Sequence, residues 1–460
     1  MSPMSSRALT GPMFSTDEMR AVFSDGICVQ RMLDFEAALA RAQGGQGVIP
    51  DSAVDAIEHR CDVALIDLSA LAEAAAAAGN LAIPLVKQLT EQVAGTDAEA
   101  AKFVHWGATS QDVIDTGTVL QLRAALDLID ADLALMTTAL ARLADIHRGT
   151  LMVGRTWMQH ALPMTFGLKA AGWLDAILRH QDRLAQLRPR VLVLQFGGAC
   201  GTLASLGDRG LDVAQAMAAD LGLSLPDLPW HTQRDRVAEV ATVMGMLVGT
   251  LGKIARDIAL HMQTEVAELA EPVAAGRGGS STMPHKRNPV ACAVALAAAV
   301  RVPPLVSSML SGMVQEHERA LGGWQAEWDT LPDIMLLTSG ALRQMCLVAS
   351  GLLVDEKRMR CNLEATRGLV MAEAITLALG SKTGRLAAHH LVEQACRLAV
   401  ATQRHLHDVL MDDAVIAAHL SPAELRELFD PAGYTGASDA FVERVLKSHR
   451  NRSPKSSDQE

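Results

Sequence analysis

VIDTGTVLQLRAALDLIDADLALMTTALARLADIH, residues 113–147, carries apolar side chains at helical spacing along its whole length. It holds no proline, and its one glycine, Gly117, stands near the start. So regular a run exceeds the usual length of a globular helix and predicts a bundle of long helices. Similar spacing recurs at 24–43, 173–187, 234–269, 290–309 and 333–353, and a further helix pattern begins at Asp51. The breaks at 44–50, 197–201, 223–230 and 272–289 are rich in Gly or Pro. Beyond about residue 355 the helical stretches shorten, with breaks at 380–384 and 431–436. The polar end SHRNRSPKSSDQE is expected to fray. The expected architecture is all-α. A helical N-terminal domain covers 1–111, a central long-helix bundle 112–353, and a helical C-terminal domain 354–460.

Composition narrows the function. With 49% hydrophobic and 20% charged residues among 460, the chain has enough apolar content for ordered cores, which excludes wholesale disorder. Aromatics make up 3%, against 21 methionines, which argues against an all-β fold. The net charge of -11 disfavours nucleic acid or an anionic membrane as partner, because phosphate binding needs a basic face. A small anionic substrate in a locally positive pocket remains compatible with it. The seven cysteines are scattered, odd in number and never spaced as CxxC, so neither a disulfide framework nor a zinc ribbon is expected. The start MSPMSSRALTGPMF lacks the apolar core of a secretion signal. Apolar stretches such as 290–300 read as too short to span a bilayer and end at Arg301. The expectation is a soluble protein of a reducing cytoplasm.

Two loops concentrate chemistry. In GRGGSSTMPHKRNP, residues 276–289, three glycines give flexibility, Ser280 and Ser281 supply hydroxyls, and His285, Lys286 and Arg287 concentrate positive charge. Asn288 and Pro289 read as N-cap and first residue of the next helix, whose free N–H groups favour an anion. The P-loop spacing is absent. The alternative is a solvated loop before a capped helix. In FVHWGATSQDVIDT, residues 103–116, Thr109 or Ser110 can cap the long helix, with Asp112 placed as in a capping box. Here the alternative is a well-capped helix with no further role.

GSSTMPHKRNP resembles the GSSxMPxKxN loop of the fumarase/aspartase superfamily. FVHWGATSQDVIDT is similar to its HxGxTSxDxxDT region, and GRTWMQHALPMTFGLK, residues 154–169, to its GRTHxQxAxPxTxG region. FSDGICVQRMLDFEAALARAQ, HTQRDRVAEV and NLEATRGLVMAEAITLAL extend the resemblance over roughly 13–445. It implies a homotetramer on a central helix bundle, with active sites shared between subunits. No HExxH or clustered carboxylate–histidine set appears, so neither metal nor cofactor is expected, a metalloenzyme being a further rival reading. It implies that Ser280 exchanges a proton with a substrate carbon, while Lys286 and Asn288 hold the carboxylate beside that carbon. Thr109 and Ser110 would bind a substrate carboxylate, and His105 would line the pocket, with Gln111 a weaker candidate. Thr156, Trp157, Gln159 and His160 would contribute from the third segment, and Ser281 and Met283 from the mobile loop; His285 and Arg287 are added from their charge and position alone. Asp112 and Asp115 read as capping or supporting groups.

One position departs from the pattern. Trp157 stands where the superfamily's amine- and water-eliminating members carry a histidine of their acid–base relay. Expelling an amine or hydroxide benefits from a general acid, but a carboxylate, with a pKa of about 4, needs none. The substitution therefore suits an intramolecular lactonisation, in which a substrate carboxylate adds to a double bond and one proton goes to carbon. Trp157 would wall a planar diene; the alternative is a space-filling core tryptophan. The resemblance thus points to the cycloisomerase branch, acting on an unsaturated tricarboxylate in aromatic catabolism. An amine-eliminating lyase and a non-enzymatic structural relative are the rival readings.

Overall fold

The computed structural model describes residues 9–273, 276, 278–279 and 282–452. The stretch read first is one helix, Ser110–Ile146, of 37 residues. Leu122, Leu126, Ile129, Leu133, Met136 and Leu140 alternate spacings of four and three and are at most 1% exposed. That is one stripe of a 3.6-residue repeat, buried along its length. The helix starts earlier than its apolar pattern because the Asp112 carboxylate accepts from the Thr109 N–H at 3.1 Å, the reciprocal half of a capping box.

Four more long helices follow: Phe166–Val191, Asp235–His261, Val290–Ser311 and Gly323–Gly351. All four differ from expectation at one or both ends; the first runs beyond the expected 173–187 on both sides and the third two residues past 309. The helix expected over 234–269 stops at His261, because Glu268 turns back, its N–H donating to the His261 carbonyl at 2.9 Å. The helix expected from 333 begins at Gly323 and runs through Pro332. Proline removes one backbone bond; nearby, Trp324 and Trp328 pack edge-to-face at 5.0 Å and the Trp324 indole donates to Asp115 at 3.0 Å.

The expectation that no apolar stretch could span a bilayer is overturned on length, since the helix from Val290 continues past Arg301 to Ser311. Three helices, Asp235–His261, Val290–Ser311 and Gly323–Gly351, are long and apolar enough to cross a membrane by length and composition. The most apolar window of the first is 61% buried and that of the third 67%, against 28% for Val290–Ser311.

The chain forms two compact units, each gathered from three stretches. The first comprises Met1–Leu133, His180–Gly252 and Val294–Gln344. In it the helix Asp25–Gly45 packs on Asp51–Glu58 and Gly210–Leu221, burying Met32, Leu33, Phe35 and Leu39. Gly340 is required there, since a Cβ would lie 2.1 Å from the Phe14 carbonyl oxygen.

The second unit comprises Ala134–Arg179, Lys253–Ala293 and Met345–Glu460. Its core joins Val153 to Leu363, Ile375, Leu379, Leu406, Leu410, Ile416 and Leu425. The break expected over 380–384 narrows to Gly384, at φ +87°, between helices Ala372–Thr383 and Arg385–Thr402. The first five residues of the polar end, expected to fray, belong to the helix Ser438–Arg452, and the rest of it lies outside the described residues. The second unit also holds what the helical reading missed, an antiparallel hairpin of Leu151–Thr156 and Gln159–Thr165. All seven cysteines are free.

Candidate active site

In the first unit, the loop 103–109 leads into the long helix. His105 sits in left-handed backbone at φ +59°, and its Nδ1 lies 2.6 Å from Oε1 of Glu36, a carboxylate 1% exposed. Burial disfavours the imidazolium, but the Glu36 charge and hydrogen bond outweigh it and hold the His105 pKa above the usual histidine value. Gly107 is fixed by sterics: a Cβ would come 2.8 Å from the Leu206 side chain. Thr109 and Ser110 are half-buried, and among the described residues neither hydroxyl has a hydrogen-bond partner.

Below this loop lies a polar core. Asp112 is fully buried and accepts from the N–H groups of Gly197 and Gly198, from Gln195 Nε2, and from His231 Nε2 at 2.8 Å. Arg234, 2% exposed, bonds Asp115 at 2.7 Å and Glu327 at 2.5 Å, and stacks on Trp230 at 4.9 Å. Burial raises the Glu327 pKa despite Arg234. Gln111 is corrected as a pocket candidate: it is fully buried and donates to Asp115 and to the His231 carbonyl. Asp112 and Asp115 are both support. A cavity of about 310 Å³ adjoins Asp115, Arg234 and Glu327. Asp25, Asp329 and Asp333 also line it, so five carboxylates face one guanidinium and an anionic substrate is repelled.

In the second unit, Arg155, paired with His160 near the hairpin tip, makes a two-pronged ion pair with Glu268, at 2.7 and 2.9 Å. Glu268 is fully buried and also accepts from His261 Nδ1 at 2.6 Å and Asn362 Nδ2 at 2.8 Å. Burial opposes its ionisation, yet these three donors bring its pKa down to about 2. The hairpin tip is Trp157 and Met158, at φ +50° and +65°. Both angles suit a two-residue hairpin turn, a place where Asn-Gly is the usual choice. Trp157 is 98% exposed, so within one chain it fills no core. Thr156 and Gln159 pair at the base of that turn, and His160 faces Arg155. The His160 Nδ1 is buried with no hydrogen-bond partner, and burial followed by the Arg155 charge lowers its pKa.

Ser280 and Ser281 lie outside the described residues. Met283, His285, Lys286 and Arg287 are exposed. The loop closes on itself where the Asn288 N–H donates to the Gly278 carbonyl at 2.8 Å and Asn288 Nδ2 to the Gly279 carbonyl at 3.4 Å. The expected anion site at the next helix is corrected. The helix begins at Val290, as expected, but the buried Glu271 carboxylate accepts from the Ala291 N–H at 3.1 Å and the Cys292 N–H at 2.8 Å. The protein's own carboxylate fills that position.

Glu36, His231, Arg234, Glu268 and Glu271 carry this framework and were not singled out from the sequence. Glu36 had a signal: a lone carboxylate between Phe35 and the apolar run Ala37–Ala40. Among the described residues, no group of three or more His, Cys, Asp or Glu could hold a metal ion.

A family model described as lyase matches residues 13–303, and one described as adenylosuccinate lyase C-terminus matches 368–445. The chain is 57% identical over 440 residues to the 3-carboxy-cis,cis-muconate cycloisomerase of Bradyrhizobium diazoefficiens, covering 96% of this chain and 98% of the relative. It is also 57% identical over 449 residues to that of Pseudomonas aeruginosa, covering 98% of both. The crystal structure of the 3-carboxy-cis,cis-muconate lactonizing enzyme from Pseudomonas putida superimposes with a TM-score of 0.92 at 54% identity, over 96% of this chain and 99% of that one.

Proposed function

The chain belongs to the fumarase/aspartase superfamily, and we infer from that membership that it is an intramolecular lyase closing 3-carboxy-cis,cis-muconate to 4-carboxymuconolactone. The observation that carries this reading is 57% identity to cycloisomerases across nearly the full length of both chains. The exposed Trp157 at the position of the eliminating members' histidine agrees with it.

The reaction is an isomerisation of the acids; starting from the ionised substrate it takes up one proton, delivered to carbon and restored to the donor from water, and needs no other co-reactant. An ionised substrate carboxylate adds to the diene and forms the ring C–O bond. The displaced π electrons pass to the neighbouring carbon and into its carboxylate. That dianionic species is then protonated on carbon, in our reading by Ser280. Lys286 and Asn288 stabilise the growing charge on the carboxylate; losing one such donor typically costs about 3–4 kcal/mol. Thr109, Ser110 and His105 receive another carboxylate. Thr156, Gln159, His160 and Trp157 border the substrate plane, with Ser281, Met283, His285 and Arg287 closing over it.

The enzyme works as a homotetramer of the cytoplasm, with sites shared between subunits. The support for assembly is the apolar helix Val290–Ser311, whose most apolar window has a mean hydropathy of 1.9 but is 28% buried in one chain. Packing against further copies would cover Val300 and Leu310, 75% and 48% exposed.

The test follows loss of the conjugated chromophore in the ultraviolet, with adenylosuccinate and fumarate as competitors. Rapid turnover of carboxymuconate alone is expected, with Ser280→Ala folded and nearly inactive. Preference for adenylosuccinate would overturn the assignment.

A further inference from the structure

Glu36 is a carboxylate in the apolar interior of the first unit, and burying such a group is costly unless it is paired. One oxygen meets His105 at 2.6 Å, and the other is buried without a partner. The imidazole is locked from several sides. Its backbone is left-handed, the next carbonyl, of Trp106, accepts from Gln43 Nε2 at 2.6 Å, and Gly107 is wedged under Leu206. Left-handed backbone in a non-glycine residue persists where its surroundings over-determine it, often at functional sites.

With Nδ1 committed to Glu36, Nε2 has no partner among the described residues, and the side chain keeps 19% exposure. Four and five residues on stand the unpartnered hydroxyls of Thr109 and Ser110. The charges acting on His105 are both negative, Glu36 from the helix Asp25–Gly45 and Asp112 from the first turn of Ser110–Ile146. Lys102, just before the loop, is paired with Glu99 at 2.5 Å. We propose that Glu36 is a positioning residue that holds His105 as a cationic receiver, through Nε2–H, for one carboxylate of the substrate. This rests on the tricarboxylate reading above. The dyad makes affinity for a polyanion depend on pH while leaving the proton delivered to carbon to another group.

The test measures KM and kcat for carboxymuconate from about pH 6 to 9 in the wild type, Glu36→Gln, Glu36→Asp and His105→Gln, with ¹⁵N titration of the imidazoles. Glu36→Gln should raise KM about tenfold near neutrality, the size of one charge-assisted hydrogen bond, with kcat nearly unchanged. Its KM should begin to climb at lower pH than in the wild type, because the His105 pKa falls without the carboxylate. Glu36→Asp should restore part of the affinity, and His105→Gln should abolish the pH dependence. The proposal is overturned if Glu36→Gln keeps the wild-type KM profile or the wild-type His105 titration. Absence of carboxymuconate turnover in the wild type would remove the assigned reaction. The imidazole titration would then still decide whether Glu36 sets the charge of His105.

Discussion

The carboxylate of Glu271 lies 2.8 Å from the backbone nitrogen of Cys292, and so caps the helix that follows the Gly-rich loop with a charge from the same unit. A carboxylate there satisfies N–H groups that would otherwise be orphaned and complements the helix dipole. Glu271→Ala should therefore destabilise the protein by about 2 kcal/mol, and Glu271→Gln by less, since the amide oxygen still accepts. Urea midpoints of the three proteins check this. Equal midpoints would mean that water replaces the carboxylate at no loss.

Glu268 makes stability sensitive to acid. Its pKa is near 4.5 in an unfolded chain and about 2 in the fold. A depressed carboxylate contributes stability above its unfolded value and loses it as pH falls toward the folded one. The difference corresponds to about 3 kcal/mol present at neutral pH and lost between about pH 4.5 and 2. Thermal melts across that window should fall more steeply for the wild type than for Glu268→Gln. Parallel curves would assign acid sensitivity to other groups.

Lys286→Met should reduce kcat for carboxymuconate by at least about a hundredfold and change KM far less. The charge it faces grows in the transition state, so its interaction strengthens there. A raised KM with unchanged kcat would assign Lys286 to uniform binding.

Trp157→Gly should separate stability from activity. Glycine accepts φ +50° without the strain a tryptophan bears, and an exposed indole contributes little packing. Stability should rise by up to about 1 kcal/mol, while kcat/KM for lactonisation falls by about tenfold or more as the substrate loses its wall. Unchanged kcat/KM would show that the indole does not shape the site.

The helical architecture was legible in the chain because burial of one helix face leaves a local, periodic trace. Leu122 through Leu140 could be placed without knowing what covers them. The loop chemistry was legible for a similar reason: hydroxyls and cations are clustered in Thr109–Ser110 and in 282–288, so neighbours along the chain suffice to suggest a polyanion site.

Other features have no local trace. The hairpin tip Trp157–Met158 lacks the Gly or Asn that normally marks such a turn, so only the fold showed that the indole is exposed. Along the chain the helix start at Val290 reads as a free anion site, but Glu271, 20 and 21 residues before its amide partners, occupies it. Glu36 and His105 are 69 positions apart, and Glu268 draws Arg155 and Asn362 from 113 and 94 positions away. By itself the sequence determined the helices and the chemical character of the loops, both set by near neighbours. The tertiary structure decided which carboxylate meets which cation or amide, because Coulomb and hydrogen-bond energies depend on distance in space rather than separation along the chain.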